Sequence, residues 1–299
     1  MKRVLPGLRI ALMFGFAAQA FAACPPADQT RATLDALKAA KFEIAADPVR
    51  QALALALIPC LADPDPALRD GIAFEALFTW MRANLLDVAT RTELLSRLSA
   101  LIEQPDRAGF RQPFAALALS EVARTDRIAP WLTSGQRVAL VERAARYVES
   151  VRDYRGFDPK EGWRHGVAHG SDLLLQLALN PAVDRTGLDK LLDAVATQVA
   201  PAGEHSYIDG ESERLARPVL FAAQRGLISG EEWEKWLRKL AAAPPPLTGA
   251  AAFSTRAGLA RHHNLQAFLY SLYVNARESA DPNMQVLVPA LQKVLKDLP

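Results

Sequence analysis

Two histidines one helical turn apart, His165 and His169, are the residues here whose type and spacing most plainly suggest chemistry. Asp172 follows three residues later. On a helix over residues 159–179, advancing ~100° per residue, Glu161, His165, His169, Asp172 and Gln176 share one narrow stripe. Imidazoles at i and i+4 can ligate one metal ion, zinc foremost, with Asp172 as a third ligand or an orienting carboxylate. A His–carboxylate pair could instead act as a general base without metal. The third reading is a buried hydrogen-bonding line that only fixes the fold. The H-E-x-x-H arrangement of zinc proteases is absent, because Gly166 follows the first histidine.

The same helix would carry Gly162, Gly166 and Gly170 on a second stripe, with Trp163, Val167, Leu174 and Ala178 on the opposite face. Glycine costs roughly 1 kcal/mol relative to alanine inside a helix. Three of them imply close approach of another helix or room for a ligand against the backbone; the helix is expected to pack closely on one side, with the polar line facing an internal cleft. Further candidates are Asp153 and Arg155 upstream, and Glu211, Glu213 and Arg214 at a downstream helix start. All five histidines lie between residues 165 and 263. Of the adjacent His262 and His263, at most one can readily face the same cleft, and His263 is the candidate.

Helices must position these groups. Alanine and leucine dominate, and apolar residues recur at three- and four-residue spacing almost throughout, without period-two stretches. Asp47-Pro48 and Asp65-Pro66 read as capped helix starts, and Asp158-Pro159 with Glu161 as a capping box. Ser229-Gly230-Glu231-Glu232 starts another helix, Asn180-Pro181 ends one, and Pro244-Pro245-Pro246 marks a loop. The expectation is an all-α fold: an irregular stack of antiparallel helix pairs, a HEAT/armadillo-like α-solenoid. Residues 23–299 are read as one domain.

Lys2, Arg3 and Arg9, the apolar run Ile10–Ala23 and the small residues Ala20 and Ala22 have the order of a secretory signal over residues 1–22. No other segment is apolar enough to cross a membrane. Export to an oxidising compartment, most simply a bacterial periplasm, is expected; lipidation at Cys24 is the alternative. Cys24 and Cys60 either pair there or leave Cys60 as a small buried hydrophobe. The signal carries three basic residues and no acidic one, so its removal takes the net charge from +2 to −1. That balance argues against a nucleic-acid surface. Phosphate-loop, dinucleotide and Gly-x-Ser-x-Gly patterns are absent.

Asp153-Tyr154-Arg155-Gly156, Gly162-Trp163-Arg164-His165-x-x-Ala168-His169-x-x-Asp172-Leu173-Leu174 and Glu211-Ser212-Glu213-Arg214-Leu215-Ala216 occur in the order of a known family. Arg69-Asp70 and Phe114–Leu119 fit the same pattern. Over about residues 40–280 the chain resembles the bacterial domain of unknown function 2785. The departures are Ser212, where an acidic residue is common, Gly166, where alanine is common, and the signal segment. The resemblance implies an all-helical fold and one spatial cluster of Asp153, Arg155, His165, His169, Asp172, Glu211, Glu213 and Arg214. It implies no reaction. The function expected is binding of a peptide, glycan or protein partner in a polar cleft around His165 and His169. The alternative is a metal-dependent hydrolase or related enzyme using His165, His169 and Asp172.

Overall fold

Side-chain caps written in the sequence start many of the helices. Thr30, Asp65, Asp87, Thr133, Asp184, Ser229, Thr255 and Asp281 each accept a hydrogen bond from a first-turn N–H. The computed structural model describes residues 24–242 and 253–298. The expected signal, residues 1–22, and Pro244–Pro246 lie outside the described residues.

The helices are α1 (Arg31–Ala39), α2 (Asp47–Ala56), α3 (Pro66–Leu68), α4 (Glu75–Arg82), α5 (Val88–Ile102), α6 (Arg111–Ile128) and α7 (Ser134–Ser150). After a small hairpin, β1 (Phe157–Asp158) and β2 (Gly162–Trp163), come α8 (Gly166–Ala178), α9 (Arg185–Val199), α10 (Glu211–Gln224) and α11 (Gly230–Ala241). The last are α12 (Arg256–Glu278), α13 (Pro282–Gln285) and α14 (Leu287–Asp297). The described chain is thus all-α apart from that two-stranded hairpin. Among the described residues no helix is long and apolar enough to cross a membrane.

Cross-helix contacts fix the direction of the central elements. Phe114 meets His169 near the starts of α6 and α8, and Arg127 meets Gln176 near their ends. Arg214 pairs with Asp172, and Arg225 reaches the Ala178 carbonyl, so α8 and α10 also run the same way. Between α7 and α9, Lys190 meets Glu142 and Gln198 meets the Val148 carbonyl, giving a second parallel pair. One apolar cluster extends from Leu34 to Val294 through these elements.

Two helix starts differ from the sequence reading. Asp47 is the first residue of α2 rather than its cap, and pairs with Arg50. The larger correction is at residues 159–165, which are not helical. Asp158 accepts from the N–H groups of Lys160 and Glu161 at 2.8 and 2.9 Å, closing a turn instead of capping a helix. Gly162 follows at φ 72°, and the chain folds back with Phe157 opposite Trp163. The helix begins at Gly166.

A π-helical segment at Arg69–Phe74 joins α3 to α4 and turns Arg69 fully inward. Its guanidinium lies 4.2 Å from the Phe110 ring and 4.8 Å from the Phe114 ring. It donates to the carbonyls of Asp63 at 2.9 Å and Glu161 at 2.7 Å, and pairs with Asp70 at 2.8 Å. Arg69 therefore ties the hairpin to the start of α6. Cys24 and Cys60 form a disulfide that ties the segment before α1 to the short 3-10 turn Ile58–Ala62.

Of the three glycines, Gly170 explains itself most clearly. A Cβ there would lie 2.7 Å from Val148 Cγ2 and 3.1 Å from Tyr147 Cε1 on α7. Gly170→Ala is expected to cost about 1–3 kcal/mol by overpacking, read as a lower urea midpoint with an unchanged m-value. An unchanged midpoint would show that α7 yields freely.

Candidate functional site

His165 occupies the N-cap of α8 in the left-handed region, at φ 57° and ψ 41°. For a non-glycine residue this costs roughly 1–3 kcal/mol and persists only where the surroundings hold it. They do: the N–H of His165 donates to the Arg155 carbonyl at 3.1 Å, and Arg164 N–H to Gly156 at 3.0 Å. The His165 carbonyl accepts from the His169 N–H at 3.0 Å, closing the first turn of α8. So the two imidazoles remain one turn apart, although only His169 lies inside the helix.

Aromatic rings enclose them. Trp163 stacks on His165 at 4.6 Å, Phe114 meets His169 edge-on at 5.0 Å, and the two imidazole centroids are 5.7 Å apart. Each histidine is only 7% exposed. Burial, with Arg214 adding to it, depresses the His165 pKa to about 4, against the pull of Asp209. Burial, then His165 and Arg214, holds His169 well below the ordinary imidazole range. Both rings are therefore neutral at pH 7. The Asp209 backbone acts on the His165 ring and the Pro113 backbone on the His169 ring, each opposing the effect of burial. His165 Nε2 and His169 Nδ1 are buried without a partner among the described residues.

These shifts carry a pH consequence. A histidine whose folded pKa lies below its unfolded value contributes stability above pH ~6.5, lost as pH falls toward the folded value. Each is worth about 1.4 kcal/mol per pH unit in that window. For His165 the window runs from pH ~6.5 to about 4. Burial raises Asp172 and Glu211, which act in the opposite sense near their own values. The expected result is a steeper fall in unfolding free energy from pH 7 to 5 for the wild type than for a His165→Asn/His169→Leu variant. Equal slopes would contradict it.

Among the other expected residues, Asp172 is bound to Arg214 across the α8–α10 contact. Glu211 is buried and accepts from the Asp209 N–H at 3.0 Å. Asp153 and Arg155 pair with each other, and Arg155 also reaches the Ala108 carbonyl. Glu213 is exposed and pairs with Arg217. His263 Nε2 meets the Tyr207 carbonyl at 3.0 Å, and no contact joins it to His165 or His169 among the described residues. Thus His165, His169, Asp172 and Arg214 form one line; the others brace the loops above it or face outward.

Among the described residues, no three His, Cys, Asp or Glu side chains are grouped to hold an ion. Asp172 is paired with Arg214 rather than turned to the two imidazoles as a third ligand.

Residues that sequence spacing did not single out complete the site. The Arg164 guanidinium lies 4.2 Å from the Phe110 ring, which Arg69 also meets, and donates to the Ala108 carbonyl and the Glu161 carboxylate. Glu121, Arg124 and Arg127 recur at three-residue spacing on α6, a signal visible in sequence once α6 is known to flank α8.

A family profile described as a protein of unknown function, DUF2785, matches residues 94–274, more than half the chain. The chain belongs to the DUF2785 family. No curated protein and no solved structure is found to match it. The match runs from within α5 to within α12 and includes every member of the line on α8 and α10. The disulfide of this DUF2785 member, and its helices α1 to α4, lie before it.

Proposed function

We propose that this DUF2785 protein is an exported binding protein, a HEAT/armadillo-like helical stack whose polar line on α8 receives a ligand rich in hydrogen-bond donors. The observation that carries this is the pair of buried, unpartnered nitrogens, His165 Nε2 and His169 Nδ1. A neutral imidazole has one donor and one acceptor nitrogen, and we take these two unpartnered atoms as the acceptors. Leaving such an atom unpaired costs about 1–3 kcal/mol. A ligand hydroxyl or N–H would offset it. The strained backbone at His165 is a further mark of a functional position.

The parallel arrangement of α6, α8 and α10, with α7 and α9 parallel to each other, supports the stacked-pair reading. The single apolar cluster supports one domain for residues 23–299. Export is supported by the Cys24–Cys60 bond, which needs an oxidising compartment such as the periplasm. The same bond uses the Cys24 sulfur and so favours signal cleavage over lipidation.

The test is His169→Leu, near-isosteric and compatible with helix. A ligand site predicts stability within about 1 kcal/mol of wild type, since the relieved nitrogen offsets the lost Pro113 contact. A loss above about 3 kcal/mol would mean that the line exists to hold the fold.

A further inference from the structure

The polar line does not end at Asp172. One turn further, Gln176 accepts from Arg127 Nε on α6 at 3.1 Å. Arg124 lies one turn before Arg127 on α6, and its charge acts on Arg127, together with those of Glu121 and Arg82. Glu121 is already held by Arg82 through two hydrogen bonds of 2.9 and 2.7 Å. Across the line, Arg214 is held by Asp172, and Arg217 by the exposed Glu213. Five arginines therefore share three carboxylates along this strip. The surplus sits on Arg124 and Arg127. Arg124 makes no hydrogen bond or ion pair with the described residues, and Arg127 has only the neutral Gln176.

This local surplus stands in a body whose formal charge, without residues 1–22, is −1. Guanidinium groups cannot shed their charge. Two placed side by side repel each other unless an anion lies between them, and a carboxylate fits their planar forks. The strip is also long: His169 to Gln176 spans about 10 Å along a helix. At its other end stand two bare acceptors, beside Trp163 and the exposed Phe157, whose rings lie 5.0 Å apart. Closely spaced hydroxyl donors, an apolar ring face for the aromatics and an acidic group are features of one ligand class.

We propose that Arg124 and Arg127 form an anionic-group subsite of the cleft, whose ligand is an acidic oligosaccharide. Its hydroxyls donate to His165 Nε2 and His169 Nδ1, and a carboxylate further along the chain meets the two guanidiniums. This rests on the binding reading above and adds the ligand class.

The test is calorimetry of the protein with short oligogalacturonates, their methyl esters and oligoglutamate. The free acids are expected to bind, with affinity falling at least about tenfold on esterification, in Arg124→Ala/Arg127→Ala and in His169→Leu. Equal binding of acid and ester, lost only in His169→Leu, would overturn the anionic subsite and leave the cleft standing. Acid binding lost in the arginine variant but unchanged in His169→Leu would overturn the shared ligand and count against the histidine acceptors. Preference for oligoglutamate would overturn the sugar assignment, and no binding of any probe would overturn the proposal as a whole.

Discussion

Asp126→Ala is expected to destabilise the protein by about 3–5 kcal/mol. Asp126 is 1% exposed at the end of α6. One of its oxygens accepts from the N–H groups of Trp131 and Leu132 at 3.0 and 2.8 Å and from Arg137 at 3.0 Å. The other accepts from Arg137 at 2.8 Å and Asn180 at 2.8 Å. Burial alone would raise this carboxyl, but those hydrogen bonds outweigh it and hold the group below its usual range. Alanine would leave the buried Arg137 charge uncompensated and three further donors unmatched. The corner joins the end of α6, the start of α7 and the end of α8, so its loss also loosens the frame of the polar line. Urea unfolding at pH 7 reads the effect. A change below 1 kcal/mol would mean that water replaces the carboxylate easily.

The second large effect belongs to the disulfide. The 36-residue separation of Cys24 and Cys60 encloses α1 and α2. Loop-closure entropy gives the bond a worth of about 4 kcal/mol. For a chain of this size that corresponds to a drop in Tm on the order of 10 °C. Cys60 is completely buried and Cys24 half-buried, so reduction of the folded protein is slow to complete, and Cys24→Ser/Cys60→Ala is the cleaner comparison. The variant is expected to melt lower and to ignore dithiothreitol, which lowers the wild-type Tm. Two titratable thiols in denatured, unreduced wild-type protein would contradict the account.

Helix content and the caps at Asp65 and Ser229 were legible because the signals are local. The same local logic misread Asp158-Pro159-Lys160-Glu161. An Asx turn and a capped helix start with the same residue types, and Gly162 at positive φ decided for the turn. The i, i+4 spacing of His165 and His169 kept them together although the helix begins one residue after His165. What spacing could not reveal is which partners arrive from other helices. Arg214 takes Asp172 out of any ligand set, and Phe114, Glu121 and Arg127 come from more than 40 residues away in sequence. Asp126 was equally invisible, since its donors come from three separate segments.

His165 Nε2 and His169 Nδ1 are buried without a partner, and the proposed binding role requires that a ligand supply one. The most direct measurement is a thermal-shift titration with hydroxyl-rich and amide-bearing compounds, run in parallel on wild type and His169→Leu. At least one compound is expected to raise the wild-type Tm in a saturable way and to leave the folded variant unmoved. Shifts of equal size in both proteins, or none in either across both classes of compound, would contradict it.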